Sequence, residues 1–117
     1  MKRPKSFLVG SFLYQVLWET DLKDSEGGGA YGLQDSEHQT VQMDKASGNE
    51  DHKREVFVHE VVHALNSRAN LDNLVFNGNP KLEEKYAATI APWLLDWLRM
   101  NPEVVAWVMG VDGAEAE

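Results

Sequence analysis

The residues best able to do chemistry sit close together in the sequence. His59-Glu60-Val61-Val62-His63 places two imidazoles four positions apart, and Glu83 and Glu84 follow about twenty residues after His63. Residues four apart on a helix share one face, about one turn from each other. His59 and His63 can therefore present two nitrogens to one ion. Glu60 falls beside that ion, where it can hold and deprotonate a water. This is the physical content of the H-E-x-x-H pattern of zinc hydrolases. A catalytic zinc needs a third protein ligand and keeps a further position for water. With four histidines in 117 residues, chance gives the pattern roughly 0.01 times. The stretch from Val56 to Leu65 is otherwise apolar round most of the helix, where unpaired ionisable groups are costly and a metal would offset that cost.

The third ligand is expected from Glu83 or Glu84. Both fall within the apolar arc of the following helix. Glu84 aligns with Ala88, Ala91 and Leu95, and Glu83 with Ala87, Ile90 and Leu94. The helical wheel slightly prefers Glu83. At least one of the two is then a first-turn acid favoured by the helix dipole. His52 shares a helix side with His59 but lies roughly 10 Å away along the axis, too far for the same ion; it reads as an exposed helix-start residue in preference to one placed over the cleft. His38 reads as a turn residue. Tyr14, Tyr31 and Tyr86 read as core, although a tyrosine can also polarise a substrate carbonyl. Trp93, Trp97 and Trp107 read as core or as a partner surface.

The elements that must position these groups follow from periodicity. Residues 6–18 alternate as two short strands meeting near Gly10-Ser11. Residues 21–29 read as a loop. Ala30 to Gln34 and Gln39 to Met43 form a hairpin through the turn residues Asp35 to His38. The expectation is a small, mostly antiparallel sheet over residues 1–45. Ser47-Gly48-Asn49-Glu50 has the form of a capping box, opening a metal-binding helix over 47–67. Residues 66–78 read as a long connecting loop. Asn79-Pro80 and Asn101-Pro102 each pair an N-cap with a proline at the first helical position, giving C-terminal helices over 79–110. Within them Leu82, Tyr86, Ala87, Ile90, Ala91, Leu94, Leu95 and Leu98 make an apolar stripe, Pro92 marks a kink or break, and Gly110 marks the stop. The acidic tail after Val111 is expected to fray. The fold class is α+β, one domain over 1–117, with the sheet packed on the metal-binding helix.

Composition narrows the function classes. The apolar fraction is 43% and the charged fraction 26%, near globular averages. With no cysteine, thiolate zinc clusters, disulfides and cysteine nucleophiles are excluded, and any metal must rest on His, Asp or Glu. A net charge of -8 disfavours nucleic acid as a partner. Met1 to Lys5 followed by the apolar run to Trp18 has the outline of a signal peptide. Gly10, Ser11, Tyr14 and Gln15 interrupt that run, and no small-residue cleavage site follows. The run is too short for a membrane span, so the expectation is a cytoplasmic chain with no membrane partner.

The order of these segments resembles the small phage- and prophage-encoded zincins related to the ImmA/IrrE metallopeptidases. The likeness rests on an N-terminal sheet, the H-E-x-x-H helix, then Glu83-Glu84-Lys85-Tyr86-Ala87-Ala88-Thr89-Ile90-Ala91-Pro92 with Leu94-Leu95 and Asn101-Pro102-Glu103. It implies a minimal zincin-like fold with zinc on His59, His63 and Glu84, and with Glu60 as catalytic base. Glu84 is the glutamate that precedes the Ile90-Ala91 pair at the family's spacing, so the resemblance favours it over Glu83. The likeness also implies a peptide or protein substrate held along an edge strand, for which Gln39 to Met43 is the candidate. Two alternatives stand beside this reading: a non-catalytic zinc-stabilised regulatory protein, and a metal-free interaction domain.

Overall fold

The computed structural model describes residues 2–46 and 48–111. Strands β1 (Ser6–Val9) and β2 (Phe12–Glu19) form a tight hairpin. Gly10 takes φ +60°, the positive φ that a two-residue hairpin turn demands. The register pairs Phe7 with Tyr14 and Val9 with Phe12. Phe7, Val9, Tyr14, Val16 and Trp18 therefore share the core face, whereas Leu8, Leu13 and Leu17 are exposed. Strands β3 (Gly32–Asp35) and β4 (Thr40–Asp44) form the second hairpin. Its turn is held by Asp35 Oδ1, which accepts from the backbone N–H groups of Glu37 and His38.

The two hairpins join in the order β1-β2-β4-β3, with β2 and β4 parallel. The sheet is thus mostly antiparallel, as expected, but mixed through one parallel pairing. One consequence corrects the sequence reading directly. Gln39 to Met43 is not an edge, because β4 is hydrogen-bonded on both sides. The edges are β1 and β3. Alternation assigns a residue to a face of the sheet; it carries no information about which strand lies alongside.

Helix α1 (Glu50–Arg68) crosses the sheet. Ser47, the expected cap, lies outside the described residues. Asn49 performs the capping: its side chain accepts from the His52 N–H at 2.8 Å, so the helix starts later than expected. Helix α1 is apolar on two sides. Val56, Phe57 and Ala64 pack with the sheet residues Tyr14, Val16, Val41 and Met43. Val58 and Val62 pack on the other side against Ala87, Ile90 and Ala91 of α3 (Pro80–Met100). The result is an α+β fold in which α1 lies between the sheet and α3.

The connection after α1 is less open than expected. It contains the short helix α2 (Leu71–Leu74), and Phe76 is buried. Asn79 caps α3 as its sequence predicts, accepting from the N–H groups of Lys81 and Leu82. Helix α3 continues through Pro92 without a break, although proline brings no N–H for the Ala88 carbonyl. Helix α4 (Pro102–Met109) ends at Gly110 with φ +71°. Asn101 makes no side-chain cap there. Its amide instead donates to the Trp97 carbonyl at the end of α3. The acidic tail beyond Val111 lies outside the described residues. Among the described residues, no helix is long and apolar enough to cross a membrane.

Candidate metal centre

The site lies where α1 meets the first turns of α3. Ala87 and Ala91 are fully buried against Val62. Side chains this small let the two helices approach closely, and they set Glu83 and Glu84 opposite His59 and His63. Glu84 Oε1 lies 2.7 Å from His63 Nε2 and 3.2 Å from His59 Nε2, and the two Nε2 atoms are 3.1 Å apart. Tetrahedral bonds of about 2.0–2.1 Å to zinc would separate ligand atoms by about 3.3 Å. Two imidazole nitrogens and one carboxylate oxygen converging at 2.7–3.2 Å are therefore a donor set that fits one ion. His59, His63 and Glu84 form a group able to hold a metal.

Glu83 lies behind His63 rather than beside Glu84. His63 Nδ1 is 2.7 Å from Glu83 Oε2. The geometry fits an Nδ1–H donating to the carboxylate, which leaves the Nε2 lone pair facing Glu84 and His59. Asn66 donates its amide to the same Glu83 oxygen at 2.7 Å and is 2% exposed. Burial works against the His63 cation, but the bond to Glu83, the charges of Glu83 and Glu60, and the bond to Glu84 together raise its pKa above the usual value. A carboxylate on the far nitrogen of a ligating histidine fixes its tautomer and raises its basicity. Sequence reasoning placed Glu83 only as a rival ligand or a first-turn acid, and it missed Asn66. Asn66 lies three residues beyond His63, on the same helix face, and that spacing was the available signal.

Glu60 is 7% exposed. Burial is the main influence on its carboxyl and pushes the pKa up. The His63 and His59 charges pull it down, and those of Glu84 and Glu83 push it up again, so the net shift is upward. It has no hydrogen-bond partner among the described residues. What holds it in place is packing. A Cβ added to Gly32 on β3 would sit 2.8 Å from Val56 Cγ1 and 3.1–3.2 Å from the Glu60 Cγ and Oε2. The missing side chain at Gly32 is thus the space in which the Glu60 carboxylate lies.

Glu60 and His59 open onto a cleft of about 320 Å³. Ala30, Tyr31 and Gly32 form one wall, at the outer edge of the sheet. Ala88, Ala91 and Pro92 of α3 form the other. Tyr31 is exposed, with its ring edge-on to His52 at 4.7 Å, so His52, in the first turn of α1, stands beside a residue that lines the cleft. Tyr86 is exposed and packs on Phe76. Of the three tyrosines only Tyr14 is core, with its hydroxyl bonded to Ser36 and Arg68. His38 is the turn residue expected, 2.7 Å from Asp35. A second cavity of about 270 Å³ lies away from the histidines, between Arg3, Trp18, Lys53 and Phe57. Three of the cations that line it are already engaged: Arg3 with Glu50, Lys53 with the Gly48 carbonyl and Arg54 with Asp51.

Comparison with known protein families, with curated proteins and with solved structures finds no match to this chain. What the structure offers is the His59, His63 and Glu84 group on α1 and α3, an arrangement consistent with a zincin-like site.

Proposed function

We propose that the protein is a zinc-dependent hydrolase cleaving a peptide bond, with His59, His63 and Glu84 as ligands and Glu60 as general base. The observation that carries this reading is the pairing of a converged His-His-Glu donor set with a buried carboxylate that opens onto the same cleft. Zinc held there would polarise the scissile carbonyl and acidify a water. Glu60 takes the proton of the attacking water and delivers it to the leaving amine. Its position one residue after His59 sets it beside the ligands rather than among them. Glu83 and Asn66 hold His63 in the tautomer that faces the site. An extended peptide is accommodated alongside β3, the edge that borders the cleft, by pairing with the unpaired backbone groups of that strand.

The test is Glu60→Gln. The variant is expected to retain zinc while hydrolysis of a mixed peptide library falls by about 10²–10⁴-fold, the range of general acid–base contributions. Turnover equal to wild type would remove Glu60 from the mechanism. A zinc-loaded wild-type chain that cleaves no peptide would make the centre structural.

A further inference from the structure

Helix α3 has two apolar faces, and α1 covers only one. Leu82, Tyr86, Trp93, Trp97 and Met100 follow one another at spacings of four, seven, four and three, which places them on one stripe. All five are exposed, Trp93 at 72% and Met100 at 78%. Helix α4, which follows directly, adds the exposed Val104, Trp107 and Val108 and buries no residue of its own, with Trp107 79% exposed. Three of the four tryptophans of the chain are thus exposed on these two consecutive helices.

We infer that this surface is covered by a second copy of the chain, in a two-fold dimer built from α3 and α4. The first argument is area. A covered indole contributes about 150–250 Å². By their exposures Trp93, Trp97, Met100, Val104, Trp107 and Val108 offer on the order of 800 Å², what one partner of a standard interface supplies. A monomer's largest apolar patch is usually about 300–600 Å². The second argument is charge. The chain carries -8, so most approaches of two copies are repulsive. From Trp93 to Val111 the only ionisable side chains are Asp96, Arg99 and Glu103, and Arg99 already bonds to Asp51. Two copies therefore meet here with little repulsion from the surface itself. The third is shape. The radius of gyration is 15.4 Å and the extents 53 × 35 × 25 Å, against about 13 Å for a compact chain of this length. A lipid surface fits less well, because interfacial helices carry a lysine- and arginine-rich polar face that α3 and α4 lack. Self-complementary patches of this kind close as isologous dimers. The inference stands independently of the metal site.

The test is sedimentation velocity of the full chain over a range of concentrations, beside the double variant Trp93→Glu with Trp107→Glu. Wild type is expected at twice the 13.2 kDa chain mass. The double variant is expected to be monomeric with an unchanged far-UV circular dichroism spectrum. Trp107→Glu alone, at the more exposed of the two positions, guards against misfolding of the double variant. It should raise the dissociation constant by about thirtyfold or more, as loss of a tryptophan hot spot does. A wild-type chain that remains monomeric at every concentration overturns the inference. So does dimerisation that neither variant weakens, or a monomer that co-floats with neutral phosphatidylcholine vesicles.

Discussion

The two halves of α3 are both apolar, and they do opposite things. The first half carries small residues. Ala87 and Ala91 are fully buried against Val62, and the close approach they allow brings Glu83 and Glu84 to the α1 histidines. The second half carries the largest side chains in the helix, and Trp93, Trp97 and Met100 stand in solvent. Burial of apolar surface thus organises the site end, while the other end leaves apolar surface for something else to cover. The lesson is that an apolar stripe of helical period guarantees a helix but not its neighbour. Residue size along the stripe tells more: alanines mark contact with another helix of the same chain, and here the indoles mark surface left uncovered.

Substitutions at the two halves sharpen this contrast. Ala91→Leu is expected to destabilise the fold by about 1–3 kcal/mol through overpacking and to weaken metal retention, since it pushes α3 off α1. Denaturant titration and metal analysis check both. Trp93→Ser should shift protomer stability by no more than about 0.5 kcal/mol, as surface changes do, when measured at a dilution where the chain is monomeric. Equal effects at the two positions would break the comparison.

Gly32→Ala acts on the other side of α1. The added methyl meets Val56 at 2.8 Å, and valine has little rotamer freedom to move away. A loss of about 1–3 kcal/mol is expected, with peptide turnover reduced because Glu60 is displaced and metal content unchanged because the ligands are not. Metal lost together with turnover would show that Gly32 supports the whole centre rather than Glu60.

Glu83→Gln tests the tautomer-fixing role. Zinc affinity should fall by about 10–100-fold without loss of the metal stoichiometry at saturation, as read by competition with a chelating dye. A complete loss of binding would instead make Glu83 a ligand. The smallest effect is expected at the β3–β4 turn. There the bond to Asp35 raises the His38 pKa, and the same bond lowers that of Asp35. The raised histidine contributes below its unfolded pKa and loses that contribution as pH rises through the folded one. The lowered aspartate contributes above its unfolded pKa and loses it as pH falls through the folded one. The pair is therefore strongest between the two carboxylate and imidazole ranges. Asp35→Asn should return the His38 NMR titration toward the ordinary histidine value.

Much of the site was legible because it is local. The His59–His63 spacing, the helix carrying it and the Asn79-Pro80 start of α3 are all written within a few residues. Glu84 was reached only through the family likeness. The helical wheel leaned toward Glu83, because a wheel averages over the helix and ignores how near each turn comes to α1. What the sequence did not disclose is non-local. The parallel pairing of β2 with β4 removed Gln39 to Met43 from the edge, and no periodicity within either strand signals it. The N-cap passed from Ser47 to Asn49 because both residue types cap well and the chain offers both within three positions. Tyr86 was read as core and shares an apolar stripe with Leu82, and both are exposed because that stripe is wider than α1 can cover.

The most direct measurement is metal content per chain by mass spectrometry, on protein purified without chelators or metal-affinity resin, for wild type, Glu60→Gln and His63→Ala. About one zinc per chain is expected in wild type and in Glu60→Gln, as a three-ligand site requires, with loss in His63→Ala. A wild-type chain that holds no zinc after saturation and gel filtration would contradict the metal centre, leaving His59, His63 and Glu84 as a hydrogen-bonded cluster between two helices.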